Sequence, residues 1–144
     1  MYKFDSIKAT MVAPRVNVND GTLTVTSAVD TFGYTGGLCI ITMSIDQVND
    51  TPGVLGACHL TEVNVPGVDA ITKIPGCDAV NDLQASGSAN EFPLSGSDDS
   101  SLIIFYVPLT VVRKRLISCV VTETAGANVG IGVTALLLGA SVQS

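Results

Sequence analysis

His59 is the only histidine in the chain, so any Ser-His-Asp or Cys-His relay must be built on it. Cys58 is its sequence neighbour, but adjacent side chains of a strand point to opposite faces. The pair therefore reads as a partly exposed strand histidine beside a thiol, not as a catalytic dyad. Asp46, Asn49 and Asp50 offer oxygen ligands, as do Asp98 and Asp99. Neither group has the spacing of a calcium loop, and solvated turns account for both. Cys39, Cys58, Cys77 and Cys119 include no C-x-x-C pair and no zinc signature with His59. Free buried thiols are the first reading, with a disulfide as the alternative. Gly33, Gly36 and Gly37 lack the pattern of a phosphate-binding loop. No catalytic residue, metal ligand or cofactor site is expected.

One charged cluster remains. Arg113-Lys114-Arg115 joins two apolar runs and reads either as a charged turn or as a contact with an acidic partner surface. A second candidate contact is Phe92-Pro93-Leu94, an apolar kernel within the polar stretch from Asp78 to Ser100. So long a segment without structure is unusual inside a compact domain. It reads as an exposed loop or an arm that orders on a partner.

The wider composition narrows the function class. Hydrophobic residues make up 47% of the chain and charged residues only 14%. An ordinary soluble domain carries about 25% charged residues, so a large part of this surface is expected to be covered. The net charge of −6 and the single basic cluster argue against nucleic acid, which demands clustered Lys and Arg. Trp is absent and only seven residues are aromatic, which leaves little for sugar platforms or base stacking. The N-terminal residues show no apolar leader, and the apolar runs 101–112 and 129–142 fall short of a bilayer span. No membrane partner is expected.

Period-two alternation dominates, and helical periodicity is scarce. Cys39, Ile41, Met43 and Ile45 share one face of a predicted strand. Ile131, Val133, Ala135 and Leu137 share one face of the last strand, with Gly130, Gly132, Thr134, Leu136 and Leu138 opposite. Asn19-Asp20-Gly21 reads as a turn between Val16–Val18 and Leu23–Val25, predicting a hairpin. Val54–Val63 and Leu116–Thr122 are further strands, and Ala70–Ile74 is a short one. Leu102–Val107 and Leu109–Val112 read as one central strand bent at Pro108. Seven to nine short strands imply an all-β fold, a single antiparallel β-sandwich over residues 1–144, either immunoglobulin-like or jelly-roll.

Two stretches carry a family resemblance. Val29-Asp30-Thr31-Phe32-Gly33-Tyr34 precedes an apolar strand. Arg113 to Arg115 precedes Leu116–Val121, a Gly/Ala turn at Ala125–Asn128 and a last apolar strand. Together they resemble small structural proteins of tailed bacteriophages, the capsid decoration or cement proteins. The resemblance implies a virion protein that folds in the host cytoplasm, forms a homo-oligomer and binds the major capsid protein or another virion protein. A capsid shell or tail/neck subunit is the alternative, and a carbohydrate-binding module a further one. The contact residues expected are Arg113, Lys114, Arg115, Phe92 and Leu94.

Overall fold

The computed structural model describes residues 4–19, 21–24, 28–47, 54–82, 92–93, 100–124 and 128–140. In chain order the elements are β1 (Phe4–Asn19), β2 (Thr22–Thr24), β3 (Val29–Asp30), β4 (Leu38–Gln47), β5 (Val54–Val63) and β6 (Thr72–Asp78). They continue with a helical turn α1 (Ala79–Asp82), β7 (Phe92–Pro93), β8 (Ser100–Pro108), β9 (Leu116–Glu123) and β10 (Asn128–Ala140). No helix among the described residues is long and apolar enough to cross a membrane.

Two antiparallel sheets pack face to face. The first has the order β1-β10-β4-β8; the second has β2-β9-β5-β6, with β3 also on β9 and β7 on β5. The chain crosses between the layers repeatedly, except that β2 and β3, and then β5 to β7, stay in the second sheet; the first strand pairs with the last over Phe4↔Ala140 to Asn19↔Asn128. This connectivity is the jelly-roll, one of the two sandwich topologies the alternation allowed.

The core is built by the alternation itself. Cys39, Ile41, Met43 and Ile45 of β4 are almost fully buried, as are Ile131, Val133, Ala135 and Leu137 of β10. Their register is continuous, with Ile45 opposite Ile131 and Cys39 opposite Leu137. From the second sheet, Leu55, Cys58, Leu60, Ile117, Cys119 and Val121 close the same core. Each large aliphatic side chain so buried contributes about 1.5–3 kcal/mol. All four cysteines are buried thiols, none in a disulfide.

Four local expectations are corrected. Val16–Val18 and Leu23–Val25 do not form a hairpin: 16–18 pairs with β10 and Thr22–Thr24 with β9, in opposite sheets. The turn residues between them mark a crossing from one layer to the other. β8 is an edge strand of the first sheet, not a central one, and its outer residues Leu102 and Tyr106 are over 60% exposed. Leu109–Val112 is not strand. Pro108 ends β8, and Leu109 turns back to exchange backbone hydrogen bonds with Gly36 and Gly37. Gly37 lets this loop come close to β10, because a Cβ there would collide with the Leu138 carbonyl oxygen. Finally, β6 runs on through Pro75-Gly76 to Asp78, and its register against β5 shifts between His59 and Thr61. Gly76 adopts φ +75°, a left-handed conformation that glycine takes readily where the ladder is interrupted.

Candidate functional site

Arg113, Lys114 and Arg115 lie in the connection from β8 to β9, as a charged turn should. This connection meets two others at one end of the sandwich, residues 31–37 and 64–71. The Arg115 carbonyl accepts hydrogen bonds from the Thr31 amide (2.9 Å) and the Thr31 hydroxyl (2.7 Å). The Arg115 amide donates to Asn64 Oδ1 at 3.0 Å, and Lys114 Nζ donates to the Ala70 carbonyl at 2.9 Å. One short basic stretch therefore ties three loops together.

Its charges are spent inside the protein. Arg115 Nε and Nη2 donate to the two carboxylate oxygens of Asp30 at 2.8 and 2.6 Å, the paired geometry that suits guanidinium and carboxylate. The Arg115 hydrogen bonds, with the Phe32 amide, hold the Asp30 carboxyl down at about 2. Glu62 Oε2 accepts the Lys114 amide at 3.1 Å and lies 3.5 Å from Arg113 Nη1. Arg113 Nε and Nη1 are buried, with no hydrogen-bond acceptor among the described residues. Three cations thus face Asp30, Glu62 and a backbone carbonyl.

What this end turns outward is apolar. Phe32, Val68, Val111 and Val112 are between 76% and 89% exposed, with Val65 and Ile71 also exposed beside them. Phe32 carries the Arg115 guanidinium 5.1 Å from its ring centre, which fixes the ring at the surface. A cleft of about 400 Å³ opens between Phe32, Thr35, Asn64, Arg113 and Arg115. The arrangement has loops tied together, two arginines paired to carboxylates and projecting hydrophobic tips.

The other candidate groups do not converge on it. Cys58 points into the core, where its thiol donates to Met43 Sδ at 3.7 Å, and burial pushes it up to about 12. His59, expected to be partly exposed, is buried instead, because β6 and α1 pack beside β5. Its Nδ1 has no hydrogen-bond partner among the described residues. No three His, Cys, Asp or Glu side chains gather into a metal-sized group among those residues. Phe92 enters β7, whose backbone pairs with Leu55 of β5. Leu94, most of the stretch from 83 to 99, and the polar pairs at 49–50 and 98–99 lie outside the described residues.

The residues that sequence reasoning passed over are Asp30, Glu62, Phe32 and the two valines. A signal existed for Asp30 and Phe32. Asp30-Thr31-Phe32 and Arg113–Arg115 were the two stretches that carried the family resemblance, and here they bind each other.

No family model matches the chain, and no curated protein matches it significantly. Among solved structures, it is similar to a chain in the structure of infectious bursal disease virus, Gx strain. The TM-score is 0.57 at 9% identity, covering 96% of this chain and 33% of that one. Weaker similarities are to Eiger TNF from S. frugiperda (TM-score 0.45, 16% identity, 96% and 94% covered) and to Desmodium yellow mottle tymovirus (0.32, 10%, 97% and 92%). The likeness is one of fold. The chain spans about a third of the infectious bursal disease virus chain, and the shared part is a β-sandwich.

Proposed function

We propose that this protein is a virion structural component that decorates and stabilises a bacteriophage capsid, assembled in the host cytoplasm and seated on the major capsid protein lattice. The observation that carries this reading is the loop end just described. Six exposed large hydrophobic residues stand on a framework in which Arg113 and Arg115 are paired to Glu62 and Asp30. Exposed apolar clusters of this kind mark interaction sites. The jelly-roll supports it further, since viral capsid domains recur on that topology. A lattice offers many equivalent sites, so a modest contact per copy suffices.

The triplet's part in docking is then indirect. Arg113, Lys114 and Arg115 hold the loops in place, while Val111, Val112, Val68 and Phe32 make contact. A capsid shell or tail/neck subunit is the second reading, and the jelly-roll itself favours it.

Co-sedimentation with purified empty capsids tests the first reading. The wild-type chain should pellet with the shells, and the Val111→Asp/Val112→Asp chain should stay in solution with its fold intact. Closed shells or rings formed by the protein alone would favour the second reading. Neither binding nor assembly would overturn both.

A further inference from the structure

A second apolar surface starts beside the loop end and runs along the outer face of the first sheet. The strand registers set it out in rows. Ile7, Leu138, Leu38 and Pro108 form one; Ala9, Leu136, Ile40 and Tyr106 the next; Met11, Thr134, Thr42 and Ile104 the third. Leu102 extends the surface along β8, beside Ser44 and Gly132. Ile7, Met11, Leu102 and Tyr106 are each more than 60% exposed.

None of these rows contains a charged residue. Beyond Leu102 and Ser44, Arg15 and Asp46 are paired to each other at 2.8 Å, and the Arg15 guanidinium lies across Gly130. Strand spacing and rise make the neutral area about 19 Å by 20 Å, roughly 400 Å² of flat footprint. That is within the range of the largest apolar patch on a typical monomer, which is often functional.

We propose that this face packs against the same face of a second copy, stacking the two first sheets as inner layers of a four-layer dimer. Three features favour a like partner. The chain carries a net charge of −6, so two copies repel one another generally, but this face lets them meet without burying a charge. The face also holds both halves of a fit. A depression of about 320 Å³ lies among Ala9, Met11, Thr42, Thr134 and Leu136, and Ile7 and Tyr106 stand exposed beside it. A two-fold axis that set each projection over the other copy's hollow would supply the self-complementarity such symmetry requires. Finally, sheets stack about 10 Å apart through interdigitated side chains of this type. The paired footprint, roughly 800 Å² in total, is at the low end for specific interfaces and sets the dimer as a weak one.

Sedimentation velocity from about 1 µM to about 1 mM chain tests the proposal. The wild-type protein should pass from monomer to dimer within that range. The Met11→Glu/Ile104→Glu chain, altered at two exposed positions, should need roughly tenfold or more higher concentration, with its thermal transition checked alongside. A second readout is independent of that variant's folding. Among the described residues of a Thr134→Cys chain the introduced thiol is the exposed one, since the native thiols are buried, and it should become protected from maleimide as concentration rises. A wild-type chain that stays monomeric, a dimer indifferent to the two glutamates, or an introduced thiol equally reactive at all concentrations overturns the inference. The capsid reading stands or falls separately: a monomer that binds shells refutes only the dimer, and a dimer that binds none refutes only decoration.

Discussion

Arg115 holds Asp30 through two parallel hydrogen bonds of 2.8 and 2.6 Å and lays the same guanidinium over Phe32. Arg115 and Asp30 are 85 positions apart in sequence, and their union fixes the loop after β3 against the loop before β9. The Asp30 carboxyl, held at about 2 against an ordinary 3.8, binds fewer protons folded than unfolded between those values. Its contribution to stability is complete above about 4 and fades as pH falls toward 2. An NMR titration should find Asp30 near 2 in the wild type and raised in Arg115→Ala, with the Phe32 amide still holding part of the depression. In the same variant the Thr31 and Tyr34 amides, which close this loop, should exchange with solvent about tenfold faster or more.

Glu62 presents a different case because it is buried. Its carboxylate is the anion beside Arg113 and also accepts the Lys114 amide. Glu62→Ala leaves a largely buried guanidinium without that counter-charge and an amide without its acceptor. The cost should be about 2–3 kcal/mol in a urea titration, below the full penalty for a sealed ion pair because Arg113 keeps some solvent contact. Arg113→Ala/Glu62→Ala should cost less than the sum of the two single changes.

The strand alternation was legible in the sequence because it reports burial directly. Cys39 to Ile45 and Ile131 to Leu137 face inward as their period-two pattern demands. Alternation does not report which strand lies alongside, however. Asn19-Asp20-Gly21 therefore read as a hairpin where the chain in fact changes sheets. The apolar residues on both faces of Leu102–Val107 suggested a central strand, yet β8 is an edge whose outer face is exposed. The composition was recording that exposed face, not burial within one chain. At the loop end, the basic triplet was visible as a cluster. Its partners Asp30 and Glu62 were not, because nothing local in sequence tells a paired charge from a free one.

The thiols yield a sharp chemical prediction. Burial pushes Cys39, Cys58 and Cys119 up to about 12, so almost no thiolate forms at neutral pH. The native protein should therefore react negligibly with an aromatic disulfide reagent at pH 8, while denaturant should release all four thiols. Replacing Cys119, fully enclosed in β9, with Ser should destabilise the fold by about 1–3 kcal/mol through an added buried hydroxyl. Cys119→Ala should cost less, because it leaves only a small void.

His59 gives the fold a pH dependence of opposite chemical origin to that of Asp30. Its imidazole is buried on the second sheet, in register with Asp78 of β6. Burial lowers its pKa below 6.5, the Lys73 ammonium lowers it further, and Asp78 opposes both. Lys73 is itself engaged, donating to Asp78 Oδ2 at 3.0 Å, so the carboxylate is shared and only partly offsets the cost of a buried imidazolium. The neutral ring is thus the folded form. The unfolded chain takes up a proton near 6.5 that the folded chain takes up only at lower pH. Stability is complete above the unfolded pKa and is lost as pH falls through the folded one. Urea midpoints should hold steady from pH 8 to 7 and decline from 6.5 toward 5, before most carboxylates begin to titrate. His59→Phe, which keeps the ring's bulk and removes its proton site, should flatten that decline. A midpoint that falls equally in both proteins would assign the effect to other groups.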